Sequence, residues 1–279
     1  MIKSTQTSLI HFCIIMLLGI TVSCSSDNNN LEVPDNYLNI PDENFEAILI
    51  EKGIDSDGII NQQMLKSDAE KVTKLSLYGA NINTLNGIEA FVNLKRLEAD
   101  ANHLTTLDLS NNILLDTISL TSNRLTEVEG LEKAKNLTWL SLSWNYFTEF
   151  TLDNDNVKNF LIDHNDLTSL EIANAPKLES AVLNLNQITD LDFSNSPLLE
   201  VLVFSANKLQ TINLDNNVNL EYIYGSSNLL TQFDISNLPN LIDVRVDRNP
   251  TLTCIKIANG QEIPNLKLST YQTANVDCN

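Results

Sequence analysis

The chain has 279 residues, of which 17 are basic and 36 acidic, for a formal net charge of -19. Such a balance keeps a protein soluble and repels polyanions, so nucleic acid is excluded as a partner and only basic groups or cations gain from the field. With three histidines, four cysteines and no phosphate-cradling glycine loop, the sequence offers neither a zinc cluster nor a nucleotide motif, and no metal or other cofactor is expected.

At the N-terminus, Lys3 precedes Leu9–Val22, a nearly unbroken apolar run of 14 residues. The run is shorter than the roughly 20 residues that cross a bilayer and ends in small residues, which marks residues 1–23 as a signal peptide. Next comes Thr21-Val22-Ser23-Cys24, which resembles the lipobox of bacterial lipoproteins, with Thr21 where Leu is usual. The resemblance implies that Cys24 is acylated after cleavage and anchors the chain in the outer membrane, facing the periplasm or the cell surface. More than one acyl chain makes such an anchor stable. The alternative is cleavage near Ser23 that releases a soluble protein. Residues 24–38 are polar and without periodicity, as a flexible tether requires.

Residues 39–71 read as an N-terminal cap. Phe45, Ile48 and Leu49 share one helical face in a segment that stops at Gly53. Ser67 and Glu70 are spaced as a capping box, which predicts a second short helical turn. Asp55-Ser56-Asp57-Gly58 resembles the start of a calcium loop. Aligning Gly58 with the glycine of such a loop, however, puts Gly53 and Met64 where carboxylates belong, so a simple Asx-type turn is the better account.

From residue 72 to about 256 the sequence repeats. Asn102, Asn123, Asn145, Asn165, Asn186, Asn207, Asn228 and Asn249 follow one another at steps of 21, 22, 20, 21, 21, 21 and 21. Each has apolar residues five and three places before it, and most have another two after, as in LDTISLTSNRL and LTWLSLSWNYF. This frame is identified as that of the leucine-rich repeats. Some coils resemble the internalin-like version (VEGLEKAKNLTWL) and others the LDLSNN type of Bacteroidota surface proteins (LDFSNSPLLEVLV).

The resemblance implies an α/β-type solenoid of about nine repeats, wound as a right-handed superhelix with a short-stranded parallel sheet on its concave face. In each coil the alternating apolar pair points inward. The asparagine amide, both donor and acceptor, satisfies the backbone of the turn that follows, so stacked coils make a ladder. One coil cannot bury its own apolar face, so both ends need caps. Residues 257–279 would form the C-terminal one. Cys254 and Cys278 should pair in an oxidising compartment, which stabilises by roughly 3 kcal/mol for a loop of this length. Two free buried thiols are the alternative.

The candidate ligand surface consists of outward positions around the strands. Trp139, Trp144, Leu161, Val182, Val203, Tyr222 and Tyr224 are apolar or aromatic at places where the repeat demands nothing apolar, and exposed aromatics are favoured interface anchors. Padding of a β-surface is the competing account. Ser143, Asp163 and His164 do not suggest a catalytic triad, because strand alternation would send Asp163 and His164 to different sides. No enzymatic activity is therefore expected. The sequence points to a monomeric module that binds another protein. A glycan-binding role in nutrient capture, or a structural envelope spacer, are the other readings.

Overall fold

The computed structural model describes residues 35–278, so the signal segment, Cys24 and most of the tether lie outside the described residues. The chain winds as a solenoid around one elongated apolar interior. Its main sheet has ten strands, all parallel and in chain order, from Lys74–Ser76 to Asn265–Lys267. Each is three residues long, and the middle residue points inward. Leu75, Leu97, Ile118, Leu140, Phe160, Ala181, Leu202, Ile223 and Val244 are thus fully buried in one column. The tenth strand belongs to the C-terminal segment, which makes one more pass before the Cys254–Cys278 disulfide closes it.

The asparagines do what the repeat requires of them. Asn145 is typical: its Nδ2 donates to the carbonyls of Leu120 (3.0 Å), Leu142 (3.0 Å) and Ser143 (3.3 Å), and its Oδ1 accepts from Leu125 N–H at 2.9 Å. The same pattern runs from Asn102 to Asn249. In each coil the residue before the asparagine is left-handed, with φ between 53° and 59° at Ala101, Ser122, Trp144, His164, Leu185, Ala206, Ser227 and Arg248. Each of these side chains costs roughly 1–2 kcal/mol in that conformation, and the amide bonds on either side offset it.

A second polar ladder runs along the outer side, where the repeat pattern gave no forewarning. Asn112, Asn154 and Asn217 are buried and donate to carbonyls of the preceding coil, Asn154 for example to Leu131 and Ala134. Gln261 and Gln272 continue the two ladders in the terminal pass, reaching back to Leu238 and Val246.

At the N-terminal end a strand, Tyr37–Asn39, pairs antiparallel with Gln63–Leu65. The helix Glu43–Glu51 lays Phe45 and Leu49 over the first coil, with Asp42 as its N-cap. The second helix, Lys66–Ala69, departs from the capping-box expectation. Its N-cap is Leu65 and Ser67 lies inside it, because the strand runs straight into the helix and Lys66 N–H is taken by the Asn36 carbonyl.

Core volume is shared between neighbouring coils. Phe204 is fully buried beside Gly225, and a Cβ built on Gly225 would stand 2.3 Å from the Phe204 ring. Gly225→Ala is therefore expected to cost about 1–2 kcal/mol by overpacking. Phe204→Leu should recover part of that loss in the double variant, a non-additivity that denaturant titration of the four proteins would detect.

Candidate functional site

The predicted residues fall on three separate surfaces, two on the main sheet and one on its rim. The first is an apolar stripe. Leu161, Val182, Val203 and Tyr224 stand directly beside one another on four neighbouring strands, with Tyr222 alongside Tyr224 and in register with Val201. At roughly 4.8 Å per strand the stripe is about 14 Å long. All five predicted residues in it are half-buried and face outward. None belongs to the packed interior.

Charge closes the stripe at one end. Arg245 follows Tyr224 in register, and its guanidinium lies 4.6 Å from the Tyr224 ring centroid while donating to both oxygens of Asp243 at 3.0 and 2.8 Å. Those hydrogen bonds hold the Asp243 carboxyl below its ordinary range, whereas burial, aided by the charge of Asp243, pushes the Tyr224 phenol up. Asp247, two residues beyond Arg245 in the same coil, accepts from Ser226 at 2.5 Å and faces Arg248 and Lys267, the latter next to Arg245 in the column.

Trp139 occupies the second surface. It is 40% exposed, and Asn159 and Ser180 separate it from Val201 in its column. It borders a shallow groove with Arg96, Glu98, Asp100, Thr117 and Ser119. There Glu98 pairs with Lys74 (3.2 Å) and Arg96 (3.6 Å).

Trp144 forms the third, off the strands and on the rim. It is 54% exposed and stacks on His164 with ring centroids 3.8 Å apart and planes 13° from parallel. Tyr146, which the sequence reading missed, is also exposed and lines the same depression with Asp166. The seven predicted residues are therefore not one patch, because columns are continuous only between adjacent coils.

Asp163 and His164 do not diverge as strand alternation suggested. His164 Nδ1 lies 2.6 Å from Asp163 Oδ2, and Ser143 Oγ donates to Asp163 Oδ1 at 2.5 Å. The strand has ended at Leu161, and the left-handed turn at His164 swings its ring back. The order of contacts is serine, aspartate, histidine, so the hydroxyl meets the carboxylate and not the imidazole. A serine nucleophile needs the base beside it, and this arrangement instead fixes the ring on which Trp144 stacks. Among the described residues, no group of three His, Cys, Asp or Glu side chains is placed to hold a metal ion.

No family model matches the chain, and no curated protein does. Solved structures do. The functional domain of InlJ from Listeria monocytogenes is 22% identical with a TM-score of 0.59, over 84% of this chain and 62% of that one. Internalin C2 from the same organism is 19% identical with a TM-score of 0.54, over 82% and 94%. A chain of the LRIM1/APL1C complex is 25% identical with a TM-score of 0.52, over 67% and 39%. The present chain thus spans less than two thirds of the InlJ domain. Parallel strands in register, an asparagine ladder and these neighbours together show a solenoid fold of the leucine-rich-repeat type, similar to that of the internalins.

Proposed function

We propose that this chain is a non-catalytic binding protein of a bacterial envelope, of the Bacteroidota surface-lipoprotein type, that holds another protein against its sheet face. The observation that carries this reading is the stripe Leu161, Val182, Val203, Tyr222 and Tyr224, apolar at outward positions on consecutive coils and bounded by the Arg245–Asp243 pair. An apolar centre with a charged rim is the anatomy of a protein–protein interface, and the two tyrosines are of the type that serves as hot spots. One structural neighbour was solved as a complex of two proteins, which agrees with that use of the fold.

The purified chain, used as bait on envelope extracts of the producing organism, should retain a partner. The variant Tyr222→Ala/Tyr224→Ala should bind that partner at least ~100-fold more weakly, as loss of two hot spots implies. Its melting temperature should stay within a few degrees. Undiminished binding by a folded variant would remove the stripe from the interface.

A glycan ligand is the second reading, and a different surface favours it. Trp144 stacked on His164, with Tyr146 and Asp166 beside it, offers a flat aromatic ledge and a hydrogen-bonding carboxylate. Binding to polysaccharide in an affinity gel that Trp144→Ala abolishes and Tyr222→Ala/Tyr224→Ala leaves intact would favour it. In both readings the chain is a monomer tethered by an acyl group on Cys24. Radiolabelled palmitate incorporated into the wild type and not into Cys24→Ala tests the tether.

A further inference from the structure

On the outer side of the solenoid the coil-to-coil pairing is interrupted. Among the described residues, the strand Glu127–Glu129 pairs only with Thr106–Asp108 in the coil before it, and Glu149–Asp153 pairs only with Ser169–Asn174 in the coil after it. Two free strand edges therefore border one gap, although the same two coils are hydrogen-bonded neighbours in the main sheet. A change in coil length accompanies this gap, although outer pairing also lapses between Asn213 and Phe233–Asp234, where the steps are uniform. Asn123 to Asn145 is 22 residues and Asn145 to Asn165 is 20, so a long coil is stacked on a short one. Gly130 takes up the extra residue in a left-handed turn (φ 81°) pressed so closely on the preceding coil that a Cβ there would stand 2.3 Å from Ser110 N. One bank is held back by that contact. The other is held forward by the Thr168 N–H bond to the Thr148 carbonyl (2.9 Å) and the Asn174 carbonyl's bond from Asn154 N–H (2.8 Å).

The result is a cleft of about 780 Å³. Val128 and Phe150, half-buried and packed against the core, lie in it. Six carboxylates line it, Glu127, Glu129, Glu132, Glu149, Asp153 and Glu171, against a single basic residue, Lys133.

We infer that this cleft is a second binding site, separate from the sheet face, for an extended basic segment of another protein that adds as a strand to the free edge of Glu149–Asp153. An unpaired edge supplies main-chain donors and acceptors in a row, and strand addition is the recognition mode that uses them. Alternation of the added strand places one set of side chains on Val128 and Phe150. The other set meets the carboxylates, which attract lysine and arginine and repel a second copy of this acidic chain.

The full chain is titrated with a fluorescein-labelled Lys-Val alternating octapeptide, a Glu-Val octapeptide, and a Lys-Val octapeptide N-methylated at every residue, which blocks both of its edges. Binding of the first alone is expected, with amide exchange slowed at Thr151 and Asp153, whose N–H groups face the free edge. Glu127→Lys/Glu149→Lys/Asp153→Lys should weaken it at least ~10-fold with the melting transition retained. Tyr222→Ala/Tyr224→Ala should leave it unchanged, so this site and the sheet-face reading fail separately. Equal binding of the N-methylated peptide, or protection confined to Trp139–Ser141, would overturn the inference.

Discussion

Asn145→Ala is expected to lower the stability of the solenoid by about 4 kcal/mol, more than removal of one ordinary side-chain hydrogen bond would. The reason is an asymmetry in the ladder. Each strand-end carbonyl there accepts from two asparagines: Leu120 O from Asn123 and Asn145, and Leu142 O from Asn145 and Asn165. Those carbonyls stay partnered when Asn145 is cut back. The N–H of Leu125 does not, because Asn145 Oδ1 is its acceptor and Leu125 is fully buried. An orphaned buried N–H costs about 1–3 kcal/mol, and lost donations and a small cavity add the remainder. Asn145→Asp separates the two halves. It keeps the acceptor for Leu125 and replaces the donors with a carboxylate facing carbonyl oxygens, so its loss should be larger at neutral pH and should shrink on acidification. Urea titrations of both variants at pH 7 and pH 5 read this out. If Asn145→Ala lost less than about 1 kcal/mol, the ladder would be ornament on a fold held by apolar stacking alone.

The ladder was legible in the sequence because one residue type does one job at one spacing. Leu, Ile, Phe and Ala can exchange at the inward positions as long as neighbouring coils share the volume, as Phe204 and Gly225 do, yet within the repeats from Asn102 to Asn249 it is always an asparagine that both donates to and accepts from the turn, a task Gln272 takes over in the terminal pass. The outer ladder escaped notice for the opposite reason. Asn112, Asn154 and Asn217 sit nine or ten places after their main-ladder asparagines, and Ser196 fills the same place by donating to the Ala175 carbonyl. With the role shared among residue types and the offset variable, no period emerges.

Outward-facing residues were identified as a set, because strand alternation depends only on local parity. Their grouping was not, since it depends on which coils lie side by side. Hence Trp139 is cut off from the stripe by Asn159 and Ser180, and Trp144 lies outside the strands altogether. Parity also misplaced His164, because a single left-handed residue after a strand cancels the alternation on which it rests. The 22-then-20 step was visible from the start, yet spacing alone does not say which outer strands pair, since pairing also lapses between coils of equal length.

The N-terminal cap carries a second large effect, of the opposite sign. Asp55 is only 4% exposed and its Oδ2 has no hydrogen-bond partner, while Glu46, fully buried nearby, also has one unpartnered oxygen. Burial, reinforced by the charges of Asp57, Glu46 and Asp68, pushes the Asp55 carboxyl from 3.8 up to about 6. The folded state therefore binds this proton more tightly than the unfolded chain does. Its contribution is fully favourable below about pH 4 and is lost as pH rises through about 6, so ionised Asp55 weakens the cap at neutral pH by an amount approaching about 3 kcal/mol. Asp55→Asn abolishes that titration and keeps an acceptor for the Asp57 N–H, which Asp55 Oδ1 now holds at 3.3 Å. The variant should be up to about 3 kcal/mol more stable at pH 7, less whatever the unpaired amide hydrogens cost, and the difference from wild type should close by about pH 4. Hydrogen exchange in the helix Glu43–Glu51, followed across that window, localises the effect to the cap. An Asp55→Asn chain no more protected than wild type at pH 7 would mean that the carboxylate is already relieved by solvent or a cation, and that the cap does not work against its own charge.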